Sequence, residues 1–384
     1  EKSAFSETSI ESFTIPPHLT FIGTGAFSWC ENLCFISILD HSELQIIESE
    51  AFFNSPIESI SLPSSIVELR DGWCYETNKL NEIKIIKNGK ENIMNYENDL
   101  ILGKSNINTD EYNVLLFARR NIQKVTLPKF VSIISSYAIS RSSIEIITIP
   151  PNITKICNSA FSLCNQLHHV EISKNSELKI IEKDSFCDSS IENFTIPDNI
   201  IQIDKRAFHS CQNLRHLEIS SNSKLQTIGE EAFAYSSIEN FAIPKSVTQI
   251  CKGCFKYLTN LKKIELCDNP NFHEISDELF AFSSIEKIVI PFQITKICDA
   301  AFSWCEMLCK VIIPSNSILQ VIGKDAFFLT SISSFYVPSS VIEINEKAFA
   351  CCNDIQIIEI GENPSLKLVY DEFTDDLKNS IIMV

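Results

Sequence analysis

The chain has 384 residues, 45% of them hydrophobic and only 9 of them glycine, and its 49 acidic against 32 basic side chains leave a formal charge of −17. That charge sets the molecule against nucleic acid, whose phosphates it repels, and against an anionic membrane surface. No run of 18 apolar residues occurs, so no helix of this chain is expected to span a bilayer, while length and apolar content suffice for one long continuous core.

The chain repeats itself from its start. The frame apolar-x-x-apolar-x-apolar begins at Ile10, Leu33, Ile57 and Leu80, and the dipeptides Ile15-Pro16 and Leu62-Pro63 stand 47 residues apart. The last three residues of each frame alternate apolar, polar or small, apolar, the period of a strand buried on one side. Residues 1–97 therefore read as a first block of short parallel strands. Residues 98–121 interrupt the count: two apolar-rich runs, 98–102 and 112–118, flank the polar stretch 103–111 and predict an inserted hairpin projecting between the blocks. Two readings of it stand open, a contact arm on a rigid scaffold and a tolerated surface insertion.

The second block, 122–384, resumes the frame at Ile122 and carries it to Ile355 in steps of 22 to 24 residues. Ile149-Pro150, Ile196-Pro197, Ile243-Pro244, Ile290-Pro291 and Val337-Pro338 mark the same 47-residue period. Fifteen frames in all make residues 1–384 a single repeat domain. The fold expected is an α/β repeat solenoid, an arc with a parallel β-sheet on its concave face and short helical or irregular turns on its convex face.

Two further columns run through the repeats. Asn88, Asn175, Asn222, Asn269, Asn316 and Asn363 follow the strands of the longer units, where a side-chain amide can bond backbone groups as the chain leaves the sheet. In the alternate units proline ends the strand, having no amide hydrogen for the ladder. Phenylalanines at Phe27 and Phe52, then from Phe161 to Phe373 at steps alternating mainly between 22 and 25 residues, predict an aromatic spine on the convex side. Cys74 and Ile139 fill its slot in two irregular units, which should interrupt it. At the ends, the start at Glu1 without methionine or an apolar leader predicts a processed or truncated product. The strand-like segment 380–384 predicts further chain or a partner over an open edge.

The alternation of the two unit types, as at residues 237–244 and 297–308, resembles the BspA-like class of leucine-rich repeats over nearly the whole chain. The resemblance implies a surface protein of the kind found in bacteria and anaerobic protists, some of which bind host matrix proteins or neighbouring cells. It implies a cell-surface or extracellular location.

Chemistry-bearing residues mostly obey the repeat. Of 15 cysteines, Cys30, Cys164, Cys211, Cys305 and Cys352 each lie three residues after a spine phenylalanine, which marks them as core thiols and favours a reducing or oxygen-poor setting. Cys251-Lys-Gly-Cys254 has the spacing of half a zinc site, but no second pair follows to complete four ligands, so no metal or cofactor is expected. There is no glycine-rich phosphate loop, no His-Glu-x-x-His and no Gly-x-Ser-x-Gly, and the seven histidines are scattered apart from His168-His169 and His216. No catalytic residue is assigned, and the chain reads as non-enzymatic. The sequons at Asn152 and Asn193 are what chance supplies in so Asn- and Thr-rich a chain.

The exposed frame positions are more informative. The second position reads Glu145, His168, Glu192, Arg215, Glu239, Lys262, Glu286, an alternation of acid and base that can pair from strand to strand. The third reads Ile146, His169, Asn193, His216, Asn240, Lys263, Lys287, Lys310, neutral to basic on an acidic protein. From these columns His168, His169, Arg215, His216, Asn240, Lys262, Lys263 and Lys287 are expected to form a protein-binding surface; a self-compensating solvated face is the other reading. The function expected is protein binding by rigid display on the concave face, of surface or adhesion type. The alternative is a cytoplasmic scaffold within a larger assembly, favoured by the thiols.

Overall fold

The computed structural model describes residues 1–266, 268–361, 367–368 and 381–383, the last two stretches as strand backbone. They fall into two compact units, Glu1–Ser190 and Ile191–Val384. In both, each repeat is one coil made of a frame strand, a two-residue strand and a tight double turn.

In the first unit the frame strands Ser12–Ile15, Phe35–Ile38, Ser59–Pro63 and Glu82–Ile86 pair in parallel in chain order. A second run joins Lys124–Thr126, Ile146–Ile149 and His169–Ile172. Alternate residues are buried as the period demands: Ile147 and Ile149 are inside while Thr148 faces out. The short strands Ile133–Ile134, Lys155–Ile156 and Ile180–Ile181 form a separate parallel sheet. Two residues carry too short a pattern for sequence reading to find them.

The insert belongs to that second sheet. Leu100–Gly103 pairs antiparallel with both Ile93–Tyr96 and Val114–Ala118, and Val114–Ala118 continues in parallel into Ile133–Ile134. Its strands are held in the body by the buried side chains of Leu100, Ile101, Leu102, Leu115 and Phe117, and its longest exposed run is residues 105–111.

In the second unit the frame strands pair in short runs of two or three. Asn193–Ile196 joins His216–Ile219, Asn240–Ala242 joins Lys263–Glu265, and Lys287–Val289 joins Lys310–Ile312. Ser334–Val337 joins Ile357–Ile360, which pairs on to Ile381–Met383. Ladder pairing thus stops between Lys263–Glu265 and Lys287–Val289, as it does after His216–Ile219 and after Lys310–Ile312, although the strands are neighbours.

No helix occurs among the described residues, which corrects the helical turns expected on the far side. There the chain makes two successive turns bounded by left-handed residues four apart, such as Glu231 and Tyr235, Glu278 and Phe282, or Ala300 and Trp304. Alternate amides then point at the next coil: the N–H groups of Ala300, Phe302 and Trp304 donate to the carbonyls of Lys324, Ala326 and Phe328, each at 2.8 Å. A helix bonds each amide four residues back within itself; here the neighbouring coil supplies the acceptor, so every second amide is satisfied without one.

The spine is present. In the second unit the rings of Phe208, Phe233, Phe255, Phe280, Phe302, Phe327 and Phe349 stack successively at 5.2 to 5.9 Å between centroids. In the first unit Phe5, Phe27 and Phe52 stack likewise. The break expected at Cys74 is filled by its neighbour Trp73, 6.2 Å from Phe52 on one side and 6.2 Å from Phe117 of the insert on the other. Phe373 lies outside the described residues.

The asparagine column is corrected in part. Asn175, Asn222 and Asn316 are exposed, and the serine one residue later is buried instead. The hydroxyls of Ser176, Ser223 and Ser317 each accept the amide two residues on, of Leu178, Leu225 and Leu319, at 3.2 Å. A short hydroxyl reaches that amide without leaving its own turn. Where Gly89 or Pro270 replaces the serine, asparagine takes over: Asn88 Nδ2 donates to the Ser42 carbonyl at 2.7 Å and Asn269 Nδ2 to that of Val247 at 2.6 Å. Asn363 lies outside the described residues.

Candidate protein-binding surface

The outward residues of the frame strands form the face on which a ligand surface was expected. In the first unit His169 is exposed, with Nε2 3.7 Å from Glu171 Oε1, and Glu171 accepts the Thr148 hydroxyl at 2.7 Å across the ladder. His168 is half-buried, its Nδ1 3.1 Å from the Gln166 carbonyl. Both histidines are tied locally, one to an acid and one to backbone.

In the second unit Arg215, His216 and Asn240 are exposed, at the starts of two successive frame strands. His216 registers with Asn193, and Asn240 with Lys263. Lys262 lies 3.9 Å from Glu239, the one rung of the expected acid-base alternation that closes to an ion pair among the described residues. Lys263 finds Glu265 two residues along its own strand, at 2.6 Å.

Lys287 differs. It registers directly with Lys310 on the next strand, and at the position where Lys263 has Glu265, Lys287 has Val289 and Lys310 has Ile312, themselves a registered pair. Neither lysine has an ion pair among the described residues. Two like charges held side by side on a ladder repel, so this 2 × 2 patch of lysines beside aliphatics is a place where the fold has left charge uncompensated. Val289 is 50% exposed and Phe292, in the loop beyond, 42% exposed, so the apolar half of the patch is open to solvent.

A groove of about 720 Å³ lies here, where the ladder stops between Lys263–Glu265 and Lys287–Val289. Lys262, Lys263 and Lys287 line it together with Val289, Pro291 and Phe292, and so do the acids Glu265 and Asp268. Three of the eight residues picked from sequence thus meet in one groove; Arg215, His216 and Asn240 stand on the same unit without lining it, and His168 and His169 belong to the other unit. Residues missed are Phe292, which lines the groove from outside the frame, and Lys310, which does not line it but registers with Lys287 and was passed over in the basic column. The signal for Lys310 was the replacement of glutamate by Ile312 two residues on.

A second feature escaped sequence reading. Two residues after the spine phenylalanines, Tyr235, Tyr257, Phe282 and Trp304 form a further column on the turn face, their rings 4.3 to 5.4 Å apart. Stacking against each other uses their faces and leaves edges outward. The flanking charges are largely paired, as in Lys252 with Glu278 at 2.8 Å and Lys324 with Glu346 at 3.1 Å.

The cysteines serve packing. All 14 in the described residues are free thiols. Cys30, Cys305 and Cys352 each donate to the carbonyl of the aromatic 25 residues earlier, Phe5, Phe280 and Phe327, at 2.9 to 3.0 Å. Burial pushes Cys164 up to about 11 and Cys305 up to about 12, so these thiols stay protonated. Cys254 is buried in the slot that alanine fills elsewhere, and burial drives its ionisation well above the ordinary value. No group of three metal-ligating side chains forms among the described residues.

A family model described as the BspA type leucine rich repeat region matches residues 1–109, 104–180, 179–307 and 273–373 in six copies. Among solved structures, the chain is similar to a leucine-rich repeat protein from Bacteroides ovatus, with 21% identity over 93% of this chain and 82% of that one and a TM-score of 0.62. It also aligns with the pneumococcal vaccine antigen PcpA, at 18% identity over 76% of this chain and 96% of that one, with a TM-score of 0.49. A leucine rich cell surface protein from Faecalibacterium prausnitzii gives 19% identity over 97% and 90% of the two chains, with a TM-score of 0.45. No curated protein matches.

Proposed function

The chain belongs to the BspA-type leucine-rich-repeat family, and from that premise we propose that it is a non-enzymatic module binding a protein partner on its frame-strand face, of surface or adhesion type. The observation that carries the reading is the uncompensated pair Lys287 and Lys310 beside exposed Val289, over the groove of the second unit. Elsewhere on that face charge is largely answered locally, by Glu265 for Lys263 and by Glu239 for Lys262. A rigid strand array binds at little ordering cost, so modest contacts at such a patch suffice for recognition.

One observation favours the second reading, an intracellular scaffold. Cys309 and Cys351 are exposed free thiols, which an oxidising exterior would oxidise or cross-link. One experiment separates the two and tests the face. Source cells are labelled with an impermeant biotin reagent, and the wild-type chain and its Lys287→Glu/Lys310→Glu variant are each immobilised to capture partners from the biotinylated and unlabelled fractions. Surface labelling of the chain, with a biotinylated partner held by the wild type and lost by the variant, is the outcome expected. Equal capture by both removes the face; capture confined to unlabelled protein favours the scaffold.

A further inference from the structure

We propose that the groove of the second unit, together with Lys310 on the next strand, takes an extended acidic peptide carrying one apolar anchor, with carboxylates on Lys287 and its register neighbour Lys310 and the anchor on Val289 and Phe292; this rests on the binding face proposed above. Three observations converge on that chemistry. First, Lys287 and Lys310 are adjacent in register without ion pairs among the described residues, so an entering carboxylate relieves their repulsion as well as gaining its own attraction. Second, the column two residues on, acidic at Glu218 and Glu265, turns aliphatic at Val289 and Ile312, which gives the lysines an apolar neighbour in place of a counter-ion. Third, a groove of about 720 Å³ lies at these strands, lined by Lys262, Lys263 and Lys287 and by Val289, Pro291 and Phe292; of the two acids in its lining, Glu265 and Asp268, Glu265 is already paired with Lys263.

A sulfated polysaccharide satisfies the lysines but offers nothing to half-exposed Val289 and Phe292, whereas a peptide satisfies both halves. A basic or neutral peptide fails on the lysines. On a chain of net charge −17, a local basic patch also directs an acidic segment to this spot and to few others.

The test is fluorescence anisotropy of a labelled ten-residue peptide, rich in aspartate and glutamate with one central leucine, against the intact chain. Expected are saturable binding, at least tenfold weaker for Lys287→Glu/Lys310→Glu and unchanged for Lys245→Glu, an exposed lysine outside the groove. Replacing the peptide's leucine by serine weakens binding several-fold, and so does Val289→Ser in the protein. The proposal is overturned if a lysine-for-acid peptide binds as well, if the double variant binds undiminished, or if a heparin oligosaccharide binds through these lysines while the peptide does not. Failure of the peptide to bind, while partner capture still depends on Lys287 and Lys310, overturns the peptide assignment and leaves the binding face standing.

Discussion

At Ser223 a single hydroxyl does what a run of ladder bonds does elsewhere. It is buried and accepts the Leu225 amide as the chain leaves the strand, while Asn222 beside it lies in solvent. Removing the acceptor strands a buried donor, so Ser223→Ala is expected to cost about 1–3 kcal/mol in urea unfolding and Asn222→Ala close to nothing. The buried thiols give a prediction in pH. A thiol whose ionisation burial lifts from 9.0 to about 11, as in Cys164, or to about 12, as in Cys305, adds stability that is whole below about pH 9 and is lost as pH rises through the folded value. The urea midpoint is therefore expected to fall steadily above about pH 9, and to fall less in Cys164→Ala/Cys305→Ala than in wild type once each is referred to its own value at pH 8. Sequence placed these thiols in the core because they keep step with the phenylalanines. It misassigned the cap to asparagine because Asn and Ser recur together, and periodicity does not tell which of two adjacent polar residues turns inward.

Coils that bond to one another rather than within themselves explain which elements were legible. The frame strands follow from a period-two pattern inside a fixed repeat, and both are written in residues such as Leu217 and Ile219. The turns hold alanine, lysine and glutamate, residues that would accept a helix, and what prevents one is a set of acceptors 24 residues away, such as the Lys324 carbonyl for the Ala300 amide. That bond is invisible to any local reading. Its cost is a left-handed conformation at residues with a side chain, at φ 53° for Ala300. Glycine removes about 1–2 kcal/mol of that strain and adds roughly 0.5–1 kcal/mol of unfolded-state entropy. Ala300→Gly is thus expected to stabilise by about 0.5 kcal/mol, whereas Ala301→Gly, at an ordinary φ and fully buried, destabilises; thermal melts of the two variants should move in opposite directions.

For the whole molecule, the repeat supplies a scaffold and the departures from it supply specificity. The site was legible to the extent that Lys262, Lys263 and Lys287 were picked from the exposed columns and line one groove. The groove itself brings together side chains from two strands and the loop residues Pro291 and Phe292, a meeting that no residue pattern announces. The aromatic column of Tyr235, Tyr257, Phe282 and Trp304 is the other large exposed feature of the second unit, and it makes a natural control because its rings are occupied with one another. The most direct measurement places the photo-reactive residue p-benzoylphenylalanine at position 289 in one chain and at position 235 in another, irradiates each in extract of the source cells, and identifies cross-linked proteins by mass spectrometry. A partner cross-linked from position 289, competed by unlabelled wild-type chain and absent from position 235, is the result predicted. The same partner cross-linked from position 235 alone would contradict the account and move recognition to the turn face.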